Sequence, residues 1–349
     1  MGKKLRIALI GCGSIGSSVH LRNLKKNKAI DITALIDSSE KNLSQARRLV
    51  PKASTYNNSK EFFKNEKLEA VIIATPPDSH RELTKSALST GMAVYLEKPL
   101  GIDLTEGEEL VSLANSIKTT TMLGFNYRFN PVFAELRKAI ANNIVGEIRL
   151  VRTMFTITRE HAKSGDWRGQ SLNGVLSDLG SHHFDLLRHL FQLPVTSVSC
   201  ANAHGQRNLL TATLHMLIDD RIPVQSHFSF DGALENRVEI FGSEGGLIGD
   251  RYSSLYLKKY AKFRKIWDFM PGIRNAMSLS WYVPRFINYC LSPWGDPSYR
   301  LALDAFVRAV GEGIPAEPDF EDGLYALRLV DAAENAIRKG TTVHLNREA

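Results

Sequence analysis

The first third of the chain alternates short apolar runs with amphipathic stretches. The stretches Glu82–Ser89 and Glu106–Ser116 place apolar residues at helical spacing. The apolar runs have the length and composition of buried strands and cover Arg6–Ile10, Ile30–Ile36, Ala70–Ala74, Ala93–Leu96 and Thr120–Leu123. Because strands that alternate with helices form parallel sheets covered on both faces, residues 1–125 predict an α/β domain with a parallel sheet.

After Asn130 and Pro131 the pattern changes to long β-like runs with few helices between them. The predicted strands are Glu147–Ile157, Thr196–Ala201, Leu209–Ile218, Val224–Phe230, Arg237–Phe241 and Thr342–Leu345. The predicted helices are Val132–Asn142, Leu176–Leu190, Arg300–Val310 and Phe320–Arg338. Successive strands favour antiparallel pairing. Residues 126–349 are therefore expected to form a second α/β domain around an open-faced, mostly antiparallel sheet.

Composition limits the class of protein. A chain of 349 residues is long enough for two domains, and 43% hydrophobic and 23% charged residues are typical of a globular protein. The short apolar run at the N-terminus leads into a glycine-rich loop, so it indicates a buried strand rather than a signal peptide. The three cysteines have no metal-ligand or redox spacing, which suits a reducing compartment. The formal net charge of +7 is mild for this length and is weak evidence for nucleic-acid binding. We therefore expect a cytoplasmic location, no bound metal and no nucleic-acid partner.

A glycine-rich loop directly follows the first predicted strand. Gly11, Gly13 and Gly16 have the spacing that permits a tight turn, a close approach of a pyrophosphate, and helix–strand packing. The helix that follows offers free N–H groups to phosphates. Asp37 ends the second strand, where a carboxylate can accept hydrogen bonds from the adenosine ribose. Since Asp37 would repel a 2′-phosphate and Ser38 offers no positive charge, this Rossmann pattern favours NAD over NADP.

Two further motifs follow predicted strands at their carboxyl ends, where ligands bind in open α/β sheets. The segment from Thr75 to His80 contains two consecutive prolines, which force an extended turn. Glu97, Lys98 and Pro99 follow the fourth strand, and Lys98 would project into the cleft. Taken alone, Lys98 also fits a solvated surface lysine.

Polar residues cluster on the predicted helix at Leu176–Leu190. Asp178 and His182 stand four residues apart, so one helix face would present both. A carboxylate there can orient the imidazole and stabilise its protonated form, as a general base for alcohol oxidation requires. Asp178 and His182 could equally form a surface ion pair or a buried polar contact with a structural role. His183 and Asp185 point to other faces and are interpreted as structural.

In this order, the Gly-x-Gly-x-x-Gly, Thr-Pro-Pro-x-x-His, Glu-Lys-Pro, Gly-Phe-Asn-Tyr-Arg and Asp-x-Gly-x-His-x-x-Asp motifs resemble the glucose–fructose oxidoreductase/inositol dehydrogenase family. The resemblance covers residues 5–241 and 299–349. It implies that Lys98, Asp178 and His182 are the catalytic set. It also implies substrate contacts from Lys98, Tyr127, Arg128, Arg168 and His182. The cofactor contacts that it implies are Gly11, Gly13, Ser14, Ile15, Gly16, Asp37, Ser38, Thr75, Pro76, Pro77, His80, Glu97, Lys98, Asn126, Trp167 and Arg168.

From this resemblance we expect a nicotinamide-dependent oxidoreductase that acts on a secondary hydroxyl of a sugar, cyclitol or sugar nucleotide. His182 would remove the hydroxyl proton, and Lys98 would bind the substrate oxygen. The resemblance also implies a homodimer or homotetramer. Two alternatives stay open: NAD-assisted glycoside cleavage or epimerisation, and a non-catalytic NAD-binding regulator.

The segment from Tyr252 to Asp296 departs from the family pattern. It carries 11 aromatic residues and seven basic residues against two acidic ones. Its aromatic residues Tyr256, Tyr260, Phe263 and Trp267 recur at helical spacing, with lysines largely off that stripe. A basic amphipathic helix can lie on a membrane. We favour the alternative that these aromatics cover the core, the substrate cleft or an oligomer interface, and we expect no membrane partner.

Overall fold

The computed structural model describes residues 4–158, 160, 174–205, 209–262 and 282–346. The chain divides into two compact units. The first contains Met1–Phe129 and Ser292–Leu327, and the second contains Asn130–Leu291 and Arg328–Ala349. Each unit has a sheet of its own.

The first unit is a Rossmann-type α/β fold. Its six parallel strands have the order β3-β2-β1-β4-β5-β6. In chain order they are β1 (Leu5–Ile10), β2 (Ile30–Ile36), β3 (Ser54–Tyr56), β4 (Ala70–Ile73), β5 (Ala93–Leu96) and β6 (Thr121–Leu123). The central strands are buried on both faces because helices cover both sides of the sheet. The predicted parallel sheet is therefore confirmed, and the short strand β3 is an addition to it.

Helices connect these strands and contribute to two apolar clusters, one on each face of the sheet. They are α1 (π-helical over Gly16–Leu21, then α-helical over Arg22–Leu24), α2 (Glu40–Leu49), α3 (Ser59–Asn65), α4 (His80–Ser89) and α5 (Leu104–Ile117). Apolar side chains near the C-terminal end of the chain complete both clusters. Phe306 packs with Tyr95 in one, and Phe320 and Leu324 lie in the other.

The second unit has an eight-stranded sheet of order β13-β12-β11-β7-β10-β9-β8-β14. Its strands are β7 (Ile148–Thr156), β8 (Val195–His204), β9 (Thr211–Ile218), β10 (Ile222–Ser229), β11 (Glu235–Gly242), β12 (Gly245–Asp250), β13 (Lys258–Ala261) and β14 (Val343–His344). Strands β7 and β10 pair in parallel, and every other pair is antiparallel. The mostly antiparallel sheet expected from the sequence is present.

Helices of the second unit include α6 (Pro131–Ala141), α7 (π-helical over Leu176–Gly180, then α-helical over Ser181–Phe191) and α8 (Val283–Leu291). Ring contacts join α7 to the sheet: His183 stacks on Phe155, and Phe184 meets Phe228 edge to face. Residues along β7 alternate between buried and exposed, as expected for a sheet covered on one face.

The chain returns to the first unit late in the sequence. Helix α9 (Ser298–Glu312) belongs to that unit, and α10 (Phe320–Lys339) contributes residues up to Leu327 to it. The sequence had assigned all of 126–349 to the second domain. That domain boundary stays a prediction; in the structure, apolar side chains of these helices complete the clusters that cover the Rossmann sheet.

One local prediction is wrong. The aromatic stripe from Tyr256 to Trp267 was expected on a helix, but Lys258–Ala261 forms the edge strand β13, paired with β12. Pairing with β12 provides hydrogen-bond partners for the backbone of these residues, and this tertiary contact outweighs the helical spacing of the aromatic side chains. Phe263 and Trp267 lie outside the described residues. Among the described helices, none is long and apolar enough to cross a membrane.

Candidate functional site

The glycine-rich loop between β1 and α1 is shaped by close backbone contacts. Gly11 has a φ of +90°, and a Cβ there would lie 2.5 Å from the carbonyl oxygen of Ala74. A Cβ on Gly16 would lie 1.8 Å from the Gly11 carbonyl oxygen. A Cβ on Gly13, by contrast, would meet no atom within 4 Å. Gly11 and Gly16 are therefore required for packing, whereas Gly13 faces open space where a pyrophosphate can approach the backbone.

Asp37 holds its carboxylate against this loop. One carboxylate oxygen accepts a hydrogen bond of 2.7 Å from the Cys12 N–H, and the other accepts one of 2.7 Å from the Ser39 N–H. The side-chain amide of Asn42 also donates to it at 3.3 Å. The neighbouring Ser38 is exposed. Open space at Gly13, the helix start at Ser14 and Ile15, and this fixed carboxylate fit a dinucleotide.

The Cys12 thiol is buried inside the same loop. Its Sγ lies 3.8 Å from the Ile36 carbonyl oxygen. Burial, with the nearby Asp37 charge, raises the pKa of Cys12 to about 12. Since the thiolate is the nucleophilic form, Cys12 stays protonated and unreactive at neutral pH.

His80 ties the second and third motifs together. It begins α4, is fully buried, and places one ring nitrogen 2.9 Å from the Thr75 carbonyl oxygen and the other 2.7 Å from the Pro99 carbonyl oxygen. Burial lowers the pKa of His80, although both carbonyl contacts act in the opposite direction. The ring fixes the Thr75 turn relative to the Glu-Lys-Pro motif, while Pro76 and Pro77 lie at the surface of that turn.

Glu97 has a partner that sequence reasoning missed. Its carboxylate lies 2.7 Å from the Nε2 of His20 on α1, and the His20 side chain is completely buried. The rings of Tyr95 and Tyr299 meet the His20 ring edge to face. Gly124 provides the room, because a Cβ there would lie 2.8 Å from a Glu97 carboxylate oxygen. A histidine on the helix that starts at the glycine loop was the available signal.

Lys98 follows β5 and is half-buried, next to the anchored Glu97 and Pro99. Three residues of the Gly-Phe-Asn-Tyr-Arg motif are buried or ion-paired within the first unit. Asn126 is buried and donates to the Ser298 hydroxyl at 2.8 Å, and Tyr127 is buried as well. Arg128 forms a 2.8 Å ion pair with Asp322. The cofactor contact from Asn126 and the substrate contacts from Tyr127 and Arg128 stay predictions.

Asp178 and His182 lie on α7 in the second unit, and each is 8% exposed. Asp178 falls in the π-helical turn and His182 in the α-helical part that follows it. Such widened turns are frequent at functional sites, since they reorient side chains locally. A nearly buried carboxylate and imidazole four residues apart have the chemistry for proton transfer.

His183, the next residue on α7, packs inside the second unit. The Nε2 of His183 lies 3.0 Å from the side-chain oxygen of Asn236, and its ring is sandwiched against Phe155. Burial lowers the pKa of His183 to about 4. Asp185 is also completely buried. Trp167 and Arg168 lie outside the described residues.

Comparisons with known proteins identify a family for both parts of the chain. The model of an oxidoreductase family with an NAD-binding Rossmann fold matches residues 5–125, and that of its C-terminal alpha/beta domain matches residues 137–345. The chain is 24% identical to an inositol 2-dehydrogenase of Rhizobium meliloti, over 95% of this chain and 97% of that protein. It is 23% identical to a myo-inositol 2-dehydrogenase of Thermotoga maritima, over 98% of each.

A solved structure shares the whole fold. The WlbA dehydrogenase from Bordetella pertussis, in complex with NADH and UDP-GlcNAcA, superimposes with a TM-score of 0.82 at 20% identity, over 99% of this chain and 98% of that one. The match extends over both units. The chain therefore belongs to the glucose–fructose oxidoreductase/inositol dehydrogenase family and is a nicotinamide-dependent dehydrogenase.

Proposed function

We propose that this dehydrogenase uses NAD to oxidise a secondary hydroxyl of a sugar, cyclitol or sugar nucleotide. The observation that carries the choice of cofactor is the Asp37 carboxylate, fixed by the Cys12 and Ser39 N–H groups at the mouth of the glycine loop. A carboxylate held there accepts hydrogen bonds from ribose hydroxyls and repels a 2′-phosphate. The substrate class follows from relatives named as inositol dehydrogenases and from the neighbour solved with UDP-GlcNAcA.

Three residues have separate roles in the proposed reaction. His182 accepts the proton of the reacting hydroxyl on an imidazole nitrogen, and Asp178 orients that ring and stabilises its positive charge. The Lys98 ammonium binds the same substrate oxygen and stabilises the negative charge that develops on it. Bound NAD supplies the hydride acceptor. Lys98 belongs to the first unit and the other two to the second, so their cooperation on one substrate is part of the proposal.

The buried contacts around Lys98 suit this role. His20 holds Glu97 on one side of the lysine, and His80 holds the Pro99 carbonyl on the other. A lysine side chain is long and flexible, so fixing the backbone on both sides limits where its ammonium can reach. We further propose that the enzyme acts in the cytoplasm as a homodimer or homotetramer.

The experiment is a panel of polyols, sugars and nucleotide sugars assayed with the full chain by NADH absorbance. We expect NADH to accumulate with at least one cyclitol or sugar compound. His182→Gln should lower turnover by about 10²–10⁴-fold while NAD affinity changes little. Lys98→Met should lower turnover and also weaken substrate binding.

Other outcomes would contradict the proposal in distinct ways. Cleavage or epimerisation of a substrate without net NADH would indicate a transient oxidation. Tight NAD binding with no conversion of any compound would indicate a regulator. Unchanged turnover in His182→Gln would exclude this histidine as the base.

A further inference from the structure

Helix α8 turns its apolar side to the surface. Val283, Phe286, Ile287 and Leu291 recur at helical spacing and are 49%, 54%, 49% and 69% exposed. Cys290, on the same side, is also exposed. We call these five residues the apolar stripe of α8. A surface helix of a globular protein normally buries such a stripe. Phe286 therefore does not cover the core of its own chain, and the cover of the substrate cleft or of an oligomer interface stays a prediction for this segment.

The opposite side of α8 is anchored. Arg285 pairs with the carboxylate of Glu135 on α6, and the other oxygen of that carboxylate accepts a hydrogen bond of 3.3 Å from the Leu257 N–H. The hydroxyl of Tyr289 accepts a hydrogen bond of 3.5 Å from the side chain of Asn130. These contacts hold α8 against its own unit with the stripe outward, and they connect it to the residue just before β13.

The segment around β13 is basic and aromatic in sequence, although Arg264, Lys265 and Arg274 lie outside the described residues and Lys262 pairs with Glu244 at 3.2 Å. Lys258, Lys259 and Tyr260 lie on the edge strand β13 and are exposed, as is Tyr252. Of the chain's 44 Lys and Arg residues, eight lie between 251 and 291, and of its 37 Asp and Glu residues only one does. This leaves 36 of each sign elsewhere, so the formal net charge of +7 comes entirely from this segment.

We propose that α8 and β13 form a docking surface for an anionic lipid bilayer. The apolar stripe enters the boundary between headgroups and acyl chains, and the lysines contact lipid phosphates. An isologous contact with a second copy would bring Lys258 and Lys259 of the two copies together, which opposes such pairing. A nucleic acid would account for the lysines and leave the apolar stripe exposed. A lipid surface satisfies both features, and this inference does not depend on the substrate of the enzyme.

The test is co-sedimentation of the full chain with vesicles of phosphatidylglycerol and phosphatidylcholine, compared with phosphatidylcholine alone. We expect binding to the anionic vesicles that weakens as salt is raised. Phe286→Ser combined with Ile287→Ser should weaken binding at least about tenfold. Lys258→Gln combined with Lys259→Gln should weaken it by about thirtyfold.

A matched control uses apolar residues of similar exposure elsewhere in the same unit. Ile144 and Leu234 are 47% and 45% exposed, so replacing both with serine removes similar surface and should leave vesicle binding unchanged. A polarity-sensitive thiol probe on Cys290 should report an apolar environment when anionic vesicles are added. All substituted residues are exposed, so equal melting temperatures should confirm that the variants fold.

Four results would overturn the proposal. One is absence of wild-type binding to the anionic vesicles. The second is a control variant that loses as much binding as the stripe variant. The third is a stripe variant that still binds vesicles but changes the oligomeric state in analytical ultracentrifugation, which would assign α8 to a contact between copies. Duplex DNA that displaces the vesicles and binds the stripe variant normally would assign the lysines to nucleic acid.

Discussion

His183 provides a test of the structure around α7, because it lies next to the proposed base in the sequence but has different surroundings. It is completely buried, contacts Asn236 at 3.0 Å, and stacks on Phe155. The perturbation is His183→Gln. Glutamine retains an N–H donor for Asn236 and cannot titrate, so the substitution removes the proton-binding site with little change in hydrogen bonding.

The magnitude follows from the pKa of His183. Burial lowers it from 6.5 to about 4 in the folded protein. Between these values the unfolded chain binds a proton that the folded chain does not, so the wild type loses stability as pH falls from 6.5 to about 4. At 1.36 kcal/mol per pH unit, the loss is about 3 kcal/mol. At neutral pH the variant lacks the ring stacking and should be less stable by about 1 kcal/mol.

The assay is urea-induced unfolding followed by circular dichroism at pH 7.5 and pH 4. The order of stability should invert: the wild type is more stable at pH 7.5, and His183→Gln is more stable at pH 4. His80, which is also buried and has a lowered pKa, titrates equally in both proteins and cancels in the difference. A stability difference that stays constant between the two pH values would refute the burial of an uncharged His183.

Turnover supplies the second readout. His183→Gln should retain activity within a few fold, whereas His182→Gln should lose about 10²–10⁴-fold. Equal losses in the two variants, both folded, would mean that the register of α7 assigned here is wrong.

Three further predictions concern the first unit. Asp37→Ala should weaken NAD binding by about 1.5–3 kcal/mol and reduce the preference for NAD over NADP. Titration of the protein with both cofactors measures the two affinities. A wild type that binds NADP more tightly than NAD would contradict this prediction. Cys12, with its pKa raised to about 12, should resist iodoacetamide at pH 8 while the exposed Cys290 reacts, as peptide mass spectrometry would show. Gly124→Ala should displace the Glu97 carboxylate, lower the free energy of unfolding by about 1–3 kcal/mol in thermal unfolding and lower turnover. In the control Gly311→Ala, the new Cβ would meet only one side-chain atom, at 3.7 Å, so stability should be unchanged or higher.

The sequence alone determined the features that depend on local patterns. Ile30–Ile36 and Ala93–Leu96 were predicted with their observed bounds, because a short apolar run between turn residues is a local signal. The glycine spacing predicted the cofactor loop in the same way, since Gly11 and Gly16 are required by the backbone of the turn itself. The family followed from motifs of this kind in a fixed order.

Only the tertiary structure decided which distant residues meet. Glu97 contacts His20 across 77 positions of sequence, and a histidine on the helix after the glycine loop does not by itself show which carboxylate it meets. The amphipathic pattern of α9 would suit either unit. The helix lies in the first unit because its apolar side chains complete a cluster on the Rossmann sheet. The residues around Tyr260 have helical spacing but form a strand, because β12 offers backbone partners there. Periodicity shows that a face is apolar, as on α8, whereas burial depends on what the rest of the chain places against that face.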